Sequence, residues 1–211
     1  MYNKILLIGG GGHCKSVIDT LLKTNQYSDI GVIDQEENIG ESVLGVPIIG
    51  CDEDLSRLYK TGFNEAFVTV GSVGNPKLRL KLFILLEKIG FKIPNIVDRT
   101  AHVSNQAKLD NGIFIGKNTV INAGSFIHNG AIINTSAVIE HDCIIEEFSH
   151  IAPGAVLCGH VRIGAKTHIG AKSVIKQQIS IGSNTMIGMG SVVLNDIGNG
   201  VVAYGNPCKE V

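Results

Sequence analysis

From Ala101 onward the chain repeats every six residues without a slip. It reads AHVSNQ, AKLDNG, IFIGKN, TVINAG and so on, up to SVVLND ending at Asp196. The third place of the sixteen hexapeptides is always aliphatic, from Val103, Leu109, Ile115 and Ile121 through Ile187 to Val193. The first place is nearly always Ala, Ser, Thr, Cys or Val. Such a period is neither helical nor simple strand alternation. It predicts a solenoid in which each hexapeptide forms one flat side of a triangular prism, three sides to a coil. The aliphatic residue points inward, and the small residue two places earlier fits beside it. Gly, Asn, Asp, Lys and Ser crowd the last three places, where a tight corner with positive φ is required.

The preceding residues carry a different pattern. Lys4–Gly9 is an apolar run that ends in Gly9-Gly-Gly-Gly-His13, and Cys14–Lys23 follows with Val17, Ile18, Leu21 and Leu22 on one helical face. Residues 30–34 and 66–70 read as further strands, and Leu78–Ile89 as an amphipathic helix stopped by Gly90. Strand alternating with helix predicts a small parallel α/β domain. We therefore divide the chain into a Rossmann-like domain over residues 1–97 and a repeat domain over residues 98–211.

Composition sharpens this picture. The chain has 211 residues, 44% of them hydrophobic but only 5% aromatic, with no Trp and 26 Gly. A column of stacked aliphatic residues supplies a core without aromatics, and the corners account for the glycine. The net charge is −1 and no basic run stands out, which argues against nucleic acid as a partner. No apolar stretch is long enough for a membrane span. The five cysteines, Cys14, Cys51, Cys143, Cys158 and Cys208, form no disulfide framework. With no signal-like leader, they fit a cytoplasmic location. We read Cys143, at an inward first place, as packing.

Two regions carry candidate chemistry. The glycine loop opens a helix after a strand, where backbone N–H groups and the helix dipole hold phosphate. Gly11, Gly12 and His13 are the candidates there. Asp34 stands at the end of the second strand, where a carboxylate can grip a ribose hydroxyl. Cys14 stands where a dinucleotide fingerprint needs its third glycine, so a nucleotide sugar fits better than a dinucleotide. A purely structural turn is the alternative. In the repeat domain, His141 precedes Asp142 at a corner. By spacing alone it could be a solvated surface residue. His150 and His168 stack on one face, eighteen residues apart, and His102, His128 and His160 read as surface residues.

The glycine loop, the hexapeptides, the segment from Asn134 to Asp142 continuing to His150, and the ending Gly205-Asn-Pro-Cys208 together resemble one family. It is the sialic acid O-acyltransferase (NeuD/PglD-type) family, which includes N-acetyltransferases of UDP-4-amino-4,6-dideoxy sugars. The resemblance implies that the repeats coil as a left-handed parallel β-helix and assemble as a homotrimer. It implies acetyl-CoA as co-substrate, held between neighbouring subunits, no metal, and a nucleotide-sugar or sialic acid acceptor for surface glycan synthesis. It assigns His141 as general base, Asp142 as its orienting carboxylate where several relatives carry Glu, and the Gly159 N–H as oxyanion donor. His150, Lys166, Gly170, Lys172 and Gly188 fall to acetyl-CoA. Gly11, Gly12, His13, Asp34 and Arg79 fall to the acceptor. Gln35 replaces an acidic residue of some relatives and bears on which sugar is taken. A carbonic-anhydrase-like zinc enzyme and a non-catalytic sugar-binding scaffold are the readings from other classes.

Overall fold

The three apolar runs near the amino terminus share one sheet. In the computed structural model, which describes residues 3–211, β1 (Lys4–Ile8) lies between β2 (Asp29–Ile33) and β5 (Glu65–Val68), parallel to both. The first two residues of the predicted amino-terminal domain lie outside the described residues. Helix α1 (Gly12–Thr24) follows the glycine loop and buries Val17, Ile18 and Leu21. Helix α3 (Lys77–Ile89) buries Leu82, Phe83 and Leu86.

Three elements escaped the pattern. Strands β3 (Ser42–Val43) and β4 (Val46–Gly50) extend the sheet to the order β3-β4-β2-β1-β5, with β3 antiparallel at the edge. Helix α2 (Leu55–Lys60) is only six residues long. Pro47 argues against a central strand; here it faces Ser42 of β3 and precedes the register with β2, which begins at Ile48.

The chain separates into two units, one running to Gly71 and resuming over Lys77–Ile96, the other comprising Ser72–Pro76 and Val97–Val211. In the second unit each hexapeptide contributes a two-residue strand, and strands eighteen residues apart pair in parallel. Val120, Val138, Val156 and Val174 follow one another on one face. Phe126, Ile144, Arg162 and Ser180 do so on the second. Ile132, His150, His168 and Met186 do so on the third. Every third-place residue from Ile115 to Val193 is buried. At roughly 1.5–3 kcal/mol each on transfer from water, this column is the core.

The first places do more than fill space. Thr119, Ser125, Ser149, Thr167 and Ser173 are buried, and each hydroxyl donates to the carbonyl fifteen residues ahead, at 2.6–3.0 Å. This ladder satisfies corner carbonyls that the strands leave over. Cys143 occupies the same place. Its Sγ lies 3.2 Å from the Cys158 carbonyl, and burial pushes the thiol up to about 11. It packs into the core column.

Each corner turns on its sixth residue, with φ from +54° to +75° at every such place from Gly112 to Gly190. Phe148 is the unexpected occupant, since a bulky residue is disfavoured there. Its ring lies across Gly130, eighteen residues earlier, where any Cβ would strike it.

Candidate active site

In the first unit, a cleft of about 650 Å³ opens at the carboxyl ends of β1, β2 and β4. That end of an open α/β sheet is where ligands bind. Asp34, Gln35, Glu36, Asp52 and Glu53 line it on one side, and Gly9, Val70 and Leu78 on another. Asp34 Oδ2 accepts from the Gly10 N–H at 2.7 Å, and Oδ1 from the Gln35 N–H at 2.7 Å. The carboxylate thus clasps the loop and keeps spare lone pairs toward the cleft.

The four loop glycines divide by cause. Gly9 has φ +105° and faces Val70, and a Cβ on Gly10 would collide with Asp34. Gly11 and Gly12 are exposed, lie outside the left-handed region, and have open space where a Cβ would stand. The chain itself does not require glycine at either place. A bare backbone at both places leaves the first N–H groups of α1 open to close approach. The turn itself accounts for the first pair.

His13 and Arg79 lie deeper than a surface pocket demands. Arg79 is fully buried, and Nη1 donates to the Val68 carbonyl at 2.6 Å and the Val70 carbonyl at 3.0 Å. Its charge braces the end of β5. Burial first, and Arg79's charge second, push the His13 imidazole down to about 3. His13 is neutral at working pH.

In the second unit the structure brings His141, Asp142 and Gly159 together. His141 Nδ1 lies 2.8 Å from Asp142 Oδ2, which fixes the tautomer and leaves Nε2 to accept a proton. This hydrogen bond is the main reason the Asp142 carboxyl sits below its ordinary range. A Cβ on Gly159 would lie 2.6 Å from both Cε1 and Nε2 of His141. The imidazole therefore rests against the bare Cα of the next coil. Below it, Asp142 Oδ1 fills the space over Gly124 in the same way.

Sequence reading missed His160. Its Nε2 lies 3.4 Å from Asp142 Oδ2, and its ring stands edge-on to His141 with centroids 5.3 Å apart. The signal was present, because residues eighteen apart share a corner. His128 is likewise more than a surface residue, with Nδ1 2.9 Å from Asp110 Oδ2 and Glu146 on its other side.

The residues assigned to acetyl-CoA spread over other parts of the prism. His150 and His168 stack on the third face, with centroids 4.9 Å apart. His150 Nε2 meets Asn134 Nδ2 at 3.3 Å, a partner the sequence reading did not name. His150 is nine residues from His141, half a coil away, so a single chain does not bring the two together. Lys166 and Lys172 both occupy corners at φ +60°, and the Lys172 stem lies over Gly154. Gly170 and Gly188 sit on one line, where a Cβ would meet the backbone at Gly188 and the Tyr204 side chain respectively.

Comparison with known proteins places this arrangement. The PglD N-terminal domain model matches residues 4–86, and the bacterial transferase hexapeptide (six repeats) model matches residues 160–195. The chain is a hexapeptide-repeat transferase. A His-to-Asn variant of perosamine N-acetyltransferase from Caulobacter crescentus, solved with CoA and GDP-perosamine, is 33% identical. It superposes with a TM-score of 0.93 over 100% of this chain and 98% of that one. The acetyltransferase domain of PglB from Neisseria gonorrhoeae, solved with acetyl coenzyme A, is 34% identical, with a TM-score of 0.93 and 100% of both chains covered. WeeI from Acinetobacter baumannii shares the fold at 24% identity, with a TM-score of 0.88. The chain belongs to the NeuD/PglD-type family of acetyl-CoA-dependent sugar acetyltransferases, and its solenoid is a left-handed parallel β-helix.

Proposed function

We propose that the protein transfers the acetyl group of acetyl-CoA to the amino group of a nucleotide-linked 4-amino-4,6-dideoxy sugar, UDP-linked in our reading, with His141 as general base. The observation that carries the mechanism is the His141–Asp142 hydrogen bond set against Gly159. The acceptor nitrogen attacks the thioester carbon while His141 Nε2 takes its proton. Asp142 stabilises the imidazolium that forms. The C–S bond breaks, the nitrogen keeps the acetyl group, and the CoA sulfur leaves and is protonated. The Gly159 N–H is assigned to the tetrahedral oxygen, a donor worth about 3 kcal/mol when well aimed.

The acidic cleft supports a nucleotide sugar. Its carboxylates suit ribose and base N–H donors, while the diphosphate falls to the glycine loop. The half-coil between His141 and His150 supports a homotrimer, in which acetyl-CoA lies between neighbouring chains and meets His150, Lys166, Gly170, Lys172 and Gly188. Among the described residues no helix is long and apolar enough to cross a membrane. A cytoplasmic site of action suits the acetyl-CoA supply.

The test mixes purified protein, acetyl-CoA and a UDP-4-amino-4,6-dideoxy sugar and follows release of the CoA thiol. Release that His141→Ala largely abolishes supports the reading. A preference for a GDP-linked acceptor overturns the UDP assignment, and transfer only to the hydroxyls of sialic acid overturns N-acetylation.

A further inference from the structure

His141, Asp142 and His160 form a cluster that the acetyl-transfer chemistry does not fully use. One ligand atom from each lies within 4.8 Å of the others. Two of the separations are 2.8 Å, from His141 Nδ1 to Asp142 Oδ2, and 3.4 Å, from His160 Nε2 to the same oxygen. Donor atoms about 2.0–2.1 Å from a tetrahedral zinc ion stand roughly 3.3 Å apart, so small side-chain adjustments close this set on one ion. Two imidazoles and a carboxylate are a common zinc-binding combination.

The cluster is also held in place. The His160 N–H donates to the His141 carbonyl at 2.9 Å, and the Asp142 N–H to the Ala123 carbonyl at 3.0 Å. Asp142 and His160 both sit on left-handed corners, at φ +60° and +58°. All three residues are exposed, which leaves the fourth coordination position to water.

We propose that this cluster is an inhibitory zinc site, in which the metal silences the base of the reaction. The inhibition rests on His141 acting as that base; the metal site does not. In the acetyl-transfer arrangement, Nδ1–H donates to Asp142 and the Nε2 lone pair faces the reacting amine. Zinc takes the Nδ1 lone pair, and the single proton of the neutral ring then resides on Nε2. A ring protonated at Nε2 accepts nothing from the acceptor nitrogen. The same ion draws Asp142 away from its supporting role. Occupancy and turnover are therefore mutually exclusive.

The experiment uses zinc chloride on the full chain, with His160→Asn as the diagnostic variant. Asparagine tolerates the left-handed corner and removes the imidazole ligand. His102→Asn, at an exposed residue of the first coil, is the control. Zinc binding is read directly by competition with a chromophoric chelator, without acetyl transfer. The parent and His102→Asn bind one zinc per chain, and zinc inhibits their turnover until EDTA restores it. Inhibition of His160→Asn is measured against its own zinc-free rate. This variant binds zinc at least tenfold more weakly and needs correspondingly more for half-inhibition. Equal zinc binding by His160→Asn and the parent overturns the site. Tight binding that leaves turnover untouched overturns the inhibition. If the protein transfers no acetyl group to any acceptor, the chelator competition still decides the site.

Discussion

Substituting alanine for Gly159 places one methyl group against the edge of His141 that bears the reacting nitrogen. Built on the existing backbone, that carbon lies 2.6 Å from Cε1 and Nε2, whereas ordinary van der Waals contact begins near 3.4 Å. Gly159 does not occupy the left-handed region, so alanine suits the backbone and the strain falls on the imidazole. The ring must withdraw by about 0.8 Å. Displacements near 1 Å in a positioned group cost about a hundredfold in rate, equivalent to roughly 2.7 kcal/mol of barrier. We expect kcat/KM to fall roughly 30- to 100-fold. The assay is the initial rate of CoA thiol release with saturating acetyl-CoA and a varied amino-sugar nucleotide. Thermal unfolding, expected to change by no more than about 2 °C, shows that the coil is intact. Alanine keeps the backbone N–H, so the loss isolates the packing of His141 from any oxyanion contact. A variant that folds like the parent and retains a third or more of its kcat/KM refutes the reasoning.

Other outcomes follow from the same structure. Gly11→Ala and Gly12→Ala are expected to leave the melting temperature unchanged or slightly higher, because alanine restricts the unfolded chain. Both should raise KM for the nucleotide sugar at least tenfold; unchanged KM values would remove the phosphate role of the loop. His13 is held near 3 when folded and near 6.5 when unfolded. The unfolded state thus binds the extra proton, and stability falls as pH drops from about 6.5 toward 3, by at most about 1.4 kcal/mol per pH unit. His13→Gln should flatten the urea midpoint against pH over that window, and an unaltered slope would show that His13 titrates normally. Ile145→Ala, at a fully buried third place, is expected to cost about 2–5 kcal/mol by denaturant melt.

The solenoid was legible because its signal is additive. Each third-place residue repeats one physical requirement, burial of an aliphatic side chain, and so the register of every strand follows from counting. The same counting marked Cys143 as a packing residue. The α/β unit was legible where apolar runs were continuous; β4 is as long as β1 but carries Pro47. Strands β3 and β4 draw their stability from pairing with β2 and with each other, and helix α2 packs against α3; no run of residues 42–60 has enough periodicity to announce itself. At the site, the adjacency of His141 and Asp142 needed no structure. Gly159 entered only by family resemblance, although it stands eighteen residues from His141. His160 was passed over although the same count places it above Asp142. Arg79 likewise entered only by family resemblance, and the structure engages its guanidinium with the Val68 and Val70 carbonyls at the end of β5.

The hexapeptide accounts for why the proposed chemistry falls at corners. Places one and three of each hexapeptide are committed to the core and to the hydroxyl ladder, so altering them costs folding free energy directly. Places five and six are not buried in the column. Their backbone is nevertheless tied down, since from Gly124 to Gly190 each sixth-place N–H donates to a carbonyl of the preceding coil. A side chain at such a place is free to vary and yet points in a fixed direction. His141 at a fifth place and Asp142 at the sixth exploit this, and the absence of a side chain on Gly124 and Gly159 provides the room above and below. In the proposed site, precision comes from stacking. A base on one coil is positioned by a carboxylate beside it and by the bare backbone of its neighbour, so the glycines are as much a part of the site as the histidine.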